Sequence, residues 1–244
     1  MKSIAIYNNK GGCGKSTSVI NLAYEFSEHS KVLVIDTDGQ SNTSRFFVDE
    51  PKNGLERVLL GESEELSVEN TRYDNISIIS ATAAINNSVG IFGGFSEEKQ
   101  TEITDKIVNS NGDFDIVIVD LPPAMNVVTA HIVGACDFVF VPVELGTFAI
   151  QGIPKVTDVI SKCKARFGGA FINKFDKKNS ADIALLQMFS ELMGDKALTT
   201  TIPYSKVIKN SISYKNTARE YMGWTNAGKA FGQLADEIRE RIGG

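Results

Sequence analysis

The sequence predicts an α/β fold: a mostly parallel, twisted sheet with helices on both faces. Three observations predict it. Short apolar runs rich in β-branched and aromatic residues recur along the 244-residue chain, as strands buried on both faces do. Segments of helical periodicity lie between them. The two kinds alternate from one end to the other, which calls for crossover connections and therefore for a parallel sheet covered by helices.

The apolar runs fall at residues 4–7, 32–35, 76–79, 116–119, 138–143 and 170–172. Helical spacing follows Ser16 through Val19, Leu22, Ala23 and Phe26, and returns at Ile153, Val156, Val159, Ile160 and Cys163. It closes the chain through Ala227, Ala230, Phe231, Leu234, Ile238 and Ile242. Residues 86–95, rich in Gly, Asn and Ser, read as a loop, and so do residues 177–180. There is no internal repeat and no low-complexity linker, so the sequence implies one domain over residues 1–244.

Composition sets limits on function. The formal charge of −5 argues against coating nucleic acid by bulk charge, although it leaves room for a local basic patch. Cys13, Cys136 and Cys163 form no CxxC pair, so neither a disulfide framework nor a cysteine metal site is implied. Reduced thiols in a cytoplasmic protein are the expectation. The first apolar run is too short for a signal peptide, and no apolar stretch is long enough to cross a bilayer.

The chemistry begins at Gly11-Gly12-Cys13-Gly14-Lys15-Ser16-Thr17, between a strand run and a helix pattern. That context marks a phosphate-binding loop. Glycines let the backbone curl until successive N–H groups face phosphate oxygens, and the following helix adds its N-terminal dipole. Lys15 supplies charge to the outer phosphates, and the Ser16 hydroxyl is placed to bind Mg²⁺. Counting back from Gly14, the position that usually holds the motif's first glycine is Asn9. The match is to a variant, Lys-Gly-Gly-x-Gly-Lys-Ser/Thr, with Lys10 as its extra element. Cys13 occupies a free position of the loop.

Two strand runs end in acids: residues 32–35 lead to Asp36 and Asp38, and residues 116–119 lead to Asp120. Ligands of open parallel sheets bind beyond the carboxyl ends of the strands, so the three acids join the phosphate loop on one edge. Asp120 fits the place of a residue that holds a magnesium-bound water. Asp36 fits a similar outer place, and Asp38 remains to orient an attacking water.

With these motifs in order, the chain resembles the ParA/MinD family of deviant Walker-A ATPases, and most closely small, Soj-like partition ATPases. The likeness runs from Lys10 to Thr17, through Asp36-Thr37-Asp38-Gly39-Gln40-Ser41-Asn42 and Asp120-Leu121-Pro122-Pro123, to Asn173-Lys174-Phe175-Asp176 and Ile202-Pro203. Gly39 stands where the partition branch commonly has proline. The resemblance implies a P-loop NTPase fold, ATP and Mg²⁺ as ligands, and a face-to-face dimer driven by ATP. It implies that Lys10 crosses to the partner's phosphates, that Asp38 activates water, and that Asn173 and Pro203 contact adenine. It further implies non-specific DNA binding, association with the nucleoid, and a ParB-like centromere-binding partner that stimulates hydrolysis during segregation of plasmid or chromosome DNA.

Family arginines near the Ile-Pro motif are missing here. Lys206, Lys209, Lys215 and Arg219 come without an intervening acid and are the candidates for phosphate contact. No helix-turn-helix segment precedes the first strand, so an operator-binding role is not expected. The alternative is a MinD-like or cargo-positioning ATPase that acts on a protein or a membrane. A membrane role would need a basic amphipathic tail, but the last helix pattern carries mixed charge: Asp236, Glu237, Arg239, Glu240 and Arg241. An iron–sulfur ATPase would need exposed cluster cysteines, whereas Cys136 lies beside an apolar run. A tyrosine autokinase would need a tyrosine-rich tail, which is missing. A nucleotide-binding module without turnover is the last rival, and the presence of Lys10 and Asp38 speaks against it.

Overall fold

The computed structural model describes residues 1–52, 54–109 and 112–243. In chain order the elements are β1 (Lys2–Ile6), α1 (Lys15–Ser27), β2 (Val32–Asp36), α2 (Asn42–Phe47), α3 (Gly54–Leu59), β3 (Val68–Asn70) and β4 (Ile76–Ile79). Then follow α4 (Ile85–Phe92), α5 (Glu97–Asn109), β5 (Ile116–Asp120), α6 (Val127–Ala135), β6 (Phe138–Glu144) and α7 (Thr147–Lys162). The chain closes with β7 (Arg166–Asn173), α8 (Ser180–Met193), α9 (Lys206–Ser213), α10 (Ala218–Met222) and α11 (Asn226–Arg241).

The strands form one seven-stranded sheet in the order β3-β4-β2-β5-β1-β6-β7. All neighbours are parallel except β3, which runs antiparallel to β4 at one edge. Side chains alternate between the two faces, as the strand period of two requires. Ala5, Leu33, Ile35, Val117, Val119, Val139 and Val141 join one core, over which α3 to α8 lie. Ile4, Ile6, Val32, Val34, Ile116, Ile118 and Phe140 join the other, under α1, α2 and α9 to α11. Burial on both sides explains why these strands read as continuous apolar runs.

From β1 the chain crosses to β2 on one side, while β6 and β7 extend the sheet on the other. This is a topological switch point, where an open α/β sheet leaves a crevice at its carboxyl edge. The phosphate loop fills the turn between β1 and α1.

Two sequence expectations change. Residues 86–95 do not form a loop throughout, because α4 covers residues 85–92. Ile85, Ser88 and Phe92 are buried at helical spacing, and the Ser88 hydroxyl donates to the Ile85 carbonyl at 2.7 Å. Tertiary burial of one face thus outweighs the glycines and asparagines. The edge strand β3 also went unread: of Val68-Glu69-Asn70 only Glu69 is buried, so no apolar run announces it. Residues 177–179 do form a loop before α8, and Cys136 is buried, as expected.

Candidate functional site

β1 delivers the chain to the carboxyl edge, and residues 10–14 turn back into α1. Gly12 and Gly14 have φ of +74° and +95°, in the left-handed region that favours glycine. Gly14 is required twice over, since a Cβ there would stand 2.0 Å from Asn173 Nδ2. Lys15 is buried, and its Nζ donates to the Lys10 carbonyl at 3.3 Å, so the ammonium lies across the loop. Cys13 is fully buried, its thiol donates to the same carbonyl, and burial raises its pKa. Ser16 and Thr17 open α1 and line the cleft.

The acids converge as their strand ends require. Asp36 and Asp120 are direct partners in the β2–β5 register, and Ile6 pairs with Asp120 on the other side. Asp36 and Asp120 nevertheless differ in what they have left to offer. Asp36 Oδ2 accepts from the Ser44 N–H at 2.8 Å and the Ser44 hydroxyl at 2.7 Å, and Oδ1 accepts from the Asp38 N–H at 3.0 Å. Its side chain is therefore engaged in shaping the turn from Asp38 into α2, so any share in holding an ion is indirect. Asp120 Oδ2 accepts from the Thr43 hydroxyl at 2.6 Å, while the buried Oδ1 has no hydrogen-bond partner among the described residues. A buried carboxylate oxygen left unmatched is costly unless something positive meets it. Burial pushes both carboxyls above the usual carboxylate range. For Asp36, the neighbouring Asp120 adds to the rise. For Asp120, the Thr43 hydroxyl, the nearby Ser16 hydroxyl, which makes no hydrogen bond of good geometry to Oδ1, and Lys15 pull the other way, while Asp38 adds to the rise.

Asp38 is half-buried and lines the cleft; its Oδ1 accepts from the Gln40 N–H at 2.9 Å. Lys10 is exposed, and its ammonium has no hydrogen-bond partner among the described residues. The cleft has a volume of about 960 Å³ and is bounded by the phosphate loop, Asp38, Asn86 of α4, residues 122–124 and α9. Pro203 lies on its wall beside the exposed Tyr204.

Asn173 lines the cleft and also braces the loop. Its Nδ2 donates to the Cys13 carbonyl at 2.8 Å, and its Oδ1 accepts from the Lys174 N–H at 2.9 Å. The amide buttresses the phosphate loop. Thr43 and Ser44, which orient the two buried acids, were not read from the sequence. Each is a single polar residue in an unremarkable helix start, and only the fold brings it to its acid.

The fold sorts the basic stretch into paired and unpaired cations. No acid intervenes in sequence, but acids arrive in space. Lys215 Nζ meets Asp49 Oδ1 at 2.7 Å. Arg219 Nε donates to Glu25 Oε1 at 3.0 Å, and its Nη1 donates to Glu28 Oε1 at 2.9 Å. Lys206 and Lys209 stay exposed on α9, and Lys209 borders the cleft.

A glycine-turned phosphate loop at the switch point, with a buried lysine and strand-end acids, defines a P-loop protein of the nucleoside-triphosphatase class. Residues 1–174 match the family described as the AAA domain. The chain belongs to that family, in its ParA/MinD branch. The chromosome partitioning protein ParA of Caulobacter vibrioides is 27% identical over 254 residues, covering 99% of this chain and 95% of the relative. Among solved structures, apo McdA of Cyanothece superposes with a TM-score of 0.86 at 20% identity, over 100% of both chains. The septum site-determining protein MinD of Pyrococcus horikoshii, complexed with Mg-ADP, superposes at 0.83 with 23% identity, over 99% of this chain and 97% of that one. These two likenesses are likenesses of fold.

Proposed function

We propose that this chain is a Mg²⁺-dependent ATPase that closes into a dimer with ATP and works as a partition protein. The observation that carries the reading is the unmatched Asp120 Oδ1, buried at the end of β5 beside the phosphate loop. A divalent cation suits an oxygen of that kind, and magnesium takes few protein ligands. The Ser16 hydroxyl and Asp120 would hold it, Asp120 directly or through a water, and so bound it would supply charge neutralisation at the phosphates. Gly11, Gly12, Cys13, Gly14 and Thr17 supply backbone to the phosphates, and Lys15 neutralises the outer ones. Asp38, at the cleft and hydrogen-bonded among the described residues through one oxygen alone, orients the water. Pro203 walls the base, and Asn173 serves the base region by fixing the loop beneath it.

Lys10 supports the dimer. Lys15 already serves its own phosphates, and Lys10 is exposed with a free ammonium among the described residues. Two nucleotides face to face repel, and a lysine from each subunit offsets that repulsion under two-fold symmetry. DNA segregation with a ParB-like partner is the role that partition relatives suggest, with Lys206 and Lys209 as the remaining phosphate contacts. The chain acts as one domain in the cytoplasm, at the nucleoid when bound to DNA. No described helix is long and apolar enough to cross a membrane. A second reading, a cargo-positioning ATPase acting on a protein, is favoured by the pairing of Lys215 and Arg219 with acids.

Light scattering after size exclusion tests the dimer. With turnover blocked by Asp38→Ala, the chain should be monomeric with ADP and dimeric with ATP. Adding Lys10→Ala should leave ATP binding and abolish the dimer. A double variant that still dimerises would confine Lys10 to its own subunit.

A further inference from the structure

The phosphate loop is gripped from β7 by a residue that the site described so far does not use. Lys174 Nζ donates to the Gly12 carbonyl at 2.7 Å and pairs with Glu144 Oε2 at 2.9 Å. Glu144 ends β6 and Lys174 follows the last residue of β7, so two neighbouring strands brace the contact. Lys174 holds a φ of +58°, in the left-handed region where a lysine is uncommon. A backbone of this kind persists where the surroundings over-determine it, and it clusters at functional sites.

The consequence follows from the planarity of the peptide. In a trans peptide the carbonyl and the next N–H point in opposite directions. When Lys174 holds the Gly12 carbonyl toward β7, the Cys13 N–H must face away from β7. Asn173 repeats the operation one residue on: it holds the Cys13 carbonyl at 2.8 Å, which turns the Gly14 N–H the same way. Two successive amides are thereby aimed together, which is the arrangement that makes a backbone nest for an anion. Glu144 cancels the charge of Lys174, so the grip acts on geometry and leaves neutralisation of the phosphates to Lys15.

We propose that Lys174, braced by Glu144, is a positioning residue that orients the Gly12–Cys13 peptide of the phosphate loop toward a nucleotide phosphate. The proposal rests on the phosphate-site reading above. It is tested by titrating Mg-ATP into the full chain and into Lys174→Gly and Lys174→Asn, two residues that accept the left-handed backbone. Both variants should unfold, without nucleotide, at a temperature no lower than the parent. Both should bind Mg-ATP about 10- to 100-fold more weakly, the range for losing a charged hydrogen bond. Lys174→Arg, which keeps a charged donor, should lose less. Glu144→Gln added to Lys174→Gly should stay as weak as the single variant. Parent-like affinity in Lys174→Gly and Lys174→Asn would overturn the proposal. So would recovery in the double variant, because the loss would then come from an unpaired carboxylate. A parent that does not bind Mg-ATP would instead bring down the phosphate-site reading itself.

Discussion

The carboxyl edge of the sheet and the C-terminal surface both present charged residues that the sequence singles out, and the fold treats them in opposite ways. At the carboxyl edge, charges from β1, β2 and β5 meet around a cleft and leave groups unspent: the Asp120 Oδ1 is unmatched and the Lys10 ammonium is exposed. At the C-terminal surface, two of the four charges that look free along the chain, Lys215 and Arg219, are paired with acids from α1, its C-cap and the segment after α2, while Lys206 and Lys209 stay exposed. The difference teaches that a motif predicts chemistry when strand order dictates where its residues end up. A run of like charge predicts only composition, since its neighbours in space come from elsewhere.

The first way to break the comparison is at Asp38. Asp38→Ala should bind ATP as the parent does and turn it over about 100-fold more slowly, because the phosphates are held and the water is not. Steady-state hydrolysis beside a binding titration separates the two, and equal turnover would remove Asp38 from the chemistry.

The second concerns Arg219, which behaves here as a structural residue. Glu25 is 3% exposed and faces Arg219, Glu28 and Arg239. Burial, outweighing Arg219, pushes its carboxyl from 4.5 up to about 7. Arg219→Ala should therefore cost roughly 1–3 kcal/mol of stability, less than for an obligately charged partner, because Glu25 takes a proton instead. The pH dependence has a definite sign. The folded chain keeps a proton that the unfolded chain releases, so this group's contribution is full below about pH 4.5 and is lost as pH rises to about 7. Glu25→Gln should flatten that part of the stability–pH curve in denaturant melts. An unchanged slope would show that Glu25 stays ionised in the fold.

The smallest effect is expected on α9. Lys206→Glu with Lys209→Glu should weaken any binding of non-specific duplex DNA in the ATP state and lower the log–log salt slope by about 2. Lys215→Ala should do much less, because its charge is already paired with Asp49. Equal effects would erase the distinction between free and spent cations. A parent indifferent to DNA at low salt would favour the protein-cargo reading.

Most of the sheet is legible in the sequence because strands buried on both faces leave short apolar runs rich in β-branched residues. The phosphate loop and the two strand-end acids are legible for the same reason, since each is fixed by the strand before it. What escapes is contact between distant segments. Asn173 lies 160 residues from the Cys13 carbonyl that it holds, and Thr43 lies 77 from Asp120. Neither separation has a sequence signature. The helix α4 escapes because its buried stripe is only Ile85, Ser88 and Phe92, diluted by glycines and asparagines.

The central claim is that the phosphate loop and Asp120 together form a Mg-nucleotide site. Titration of fluorescent ATP, with and without Mg²⁺, tests it in the parent, in Lys15→Ala and in Asp120→Asn. The parent should bind more tightly with Mg²⁺ than without. Lys15→Ala should lose tight binding under both conditions, and Asp120→Asn should lose chiefly the gain that Mg²⁺ confers. Parent-like affinity in Lys15→Ala, or an undiminished magnesium gain in Asp120→Asn, would contradict the account.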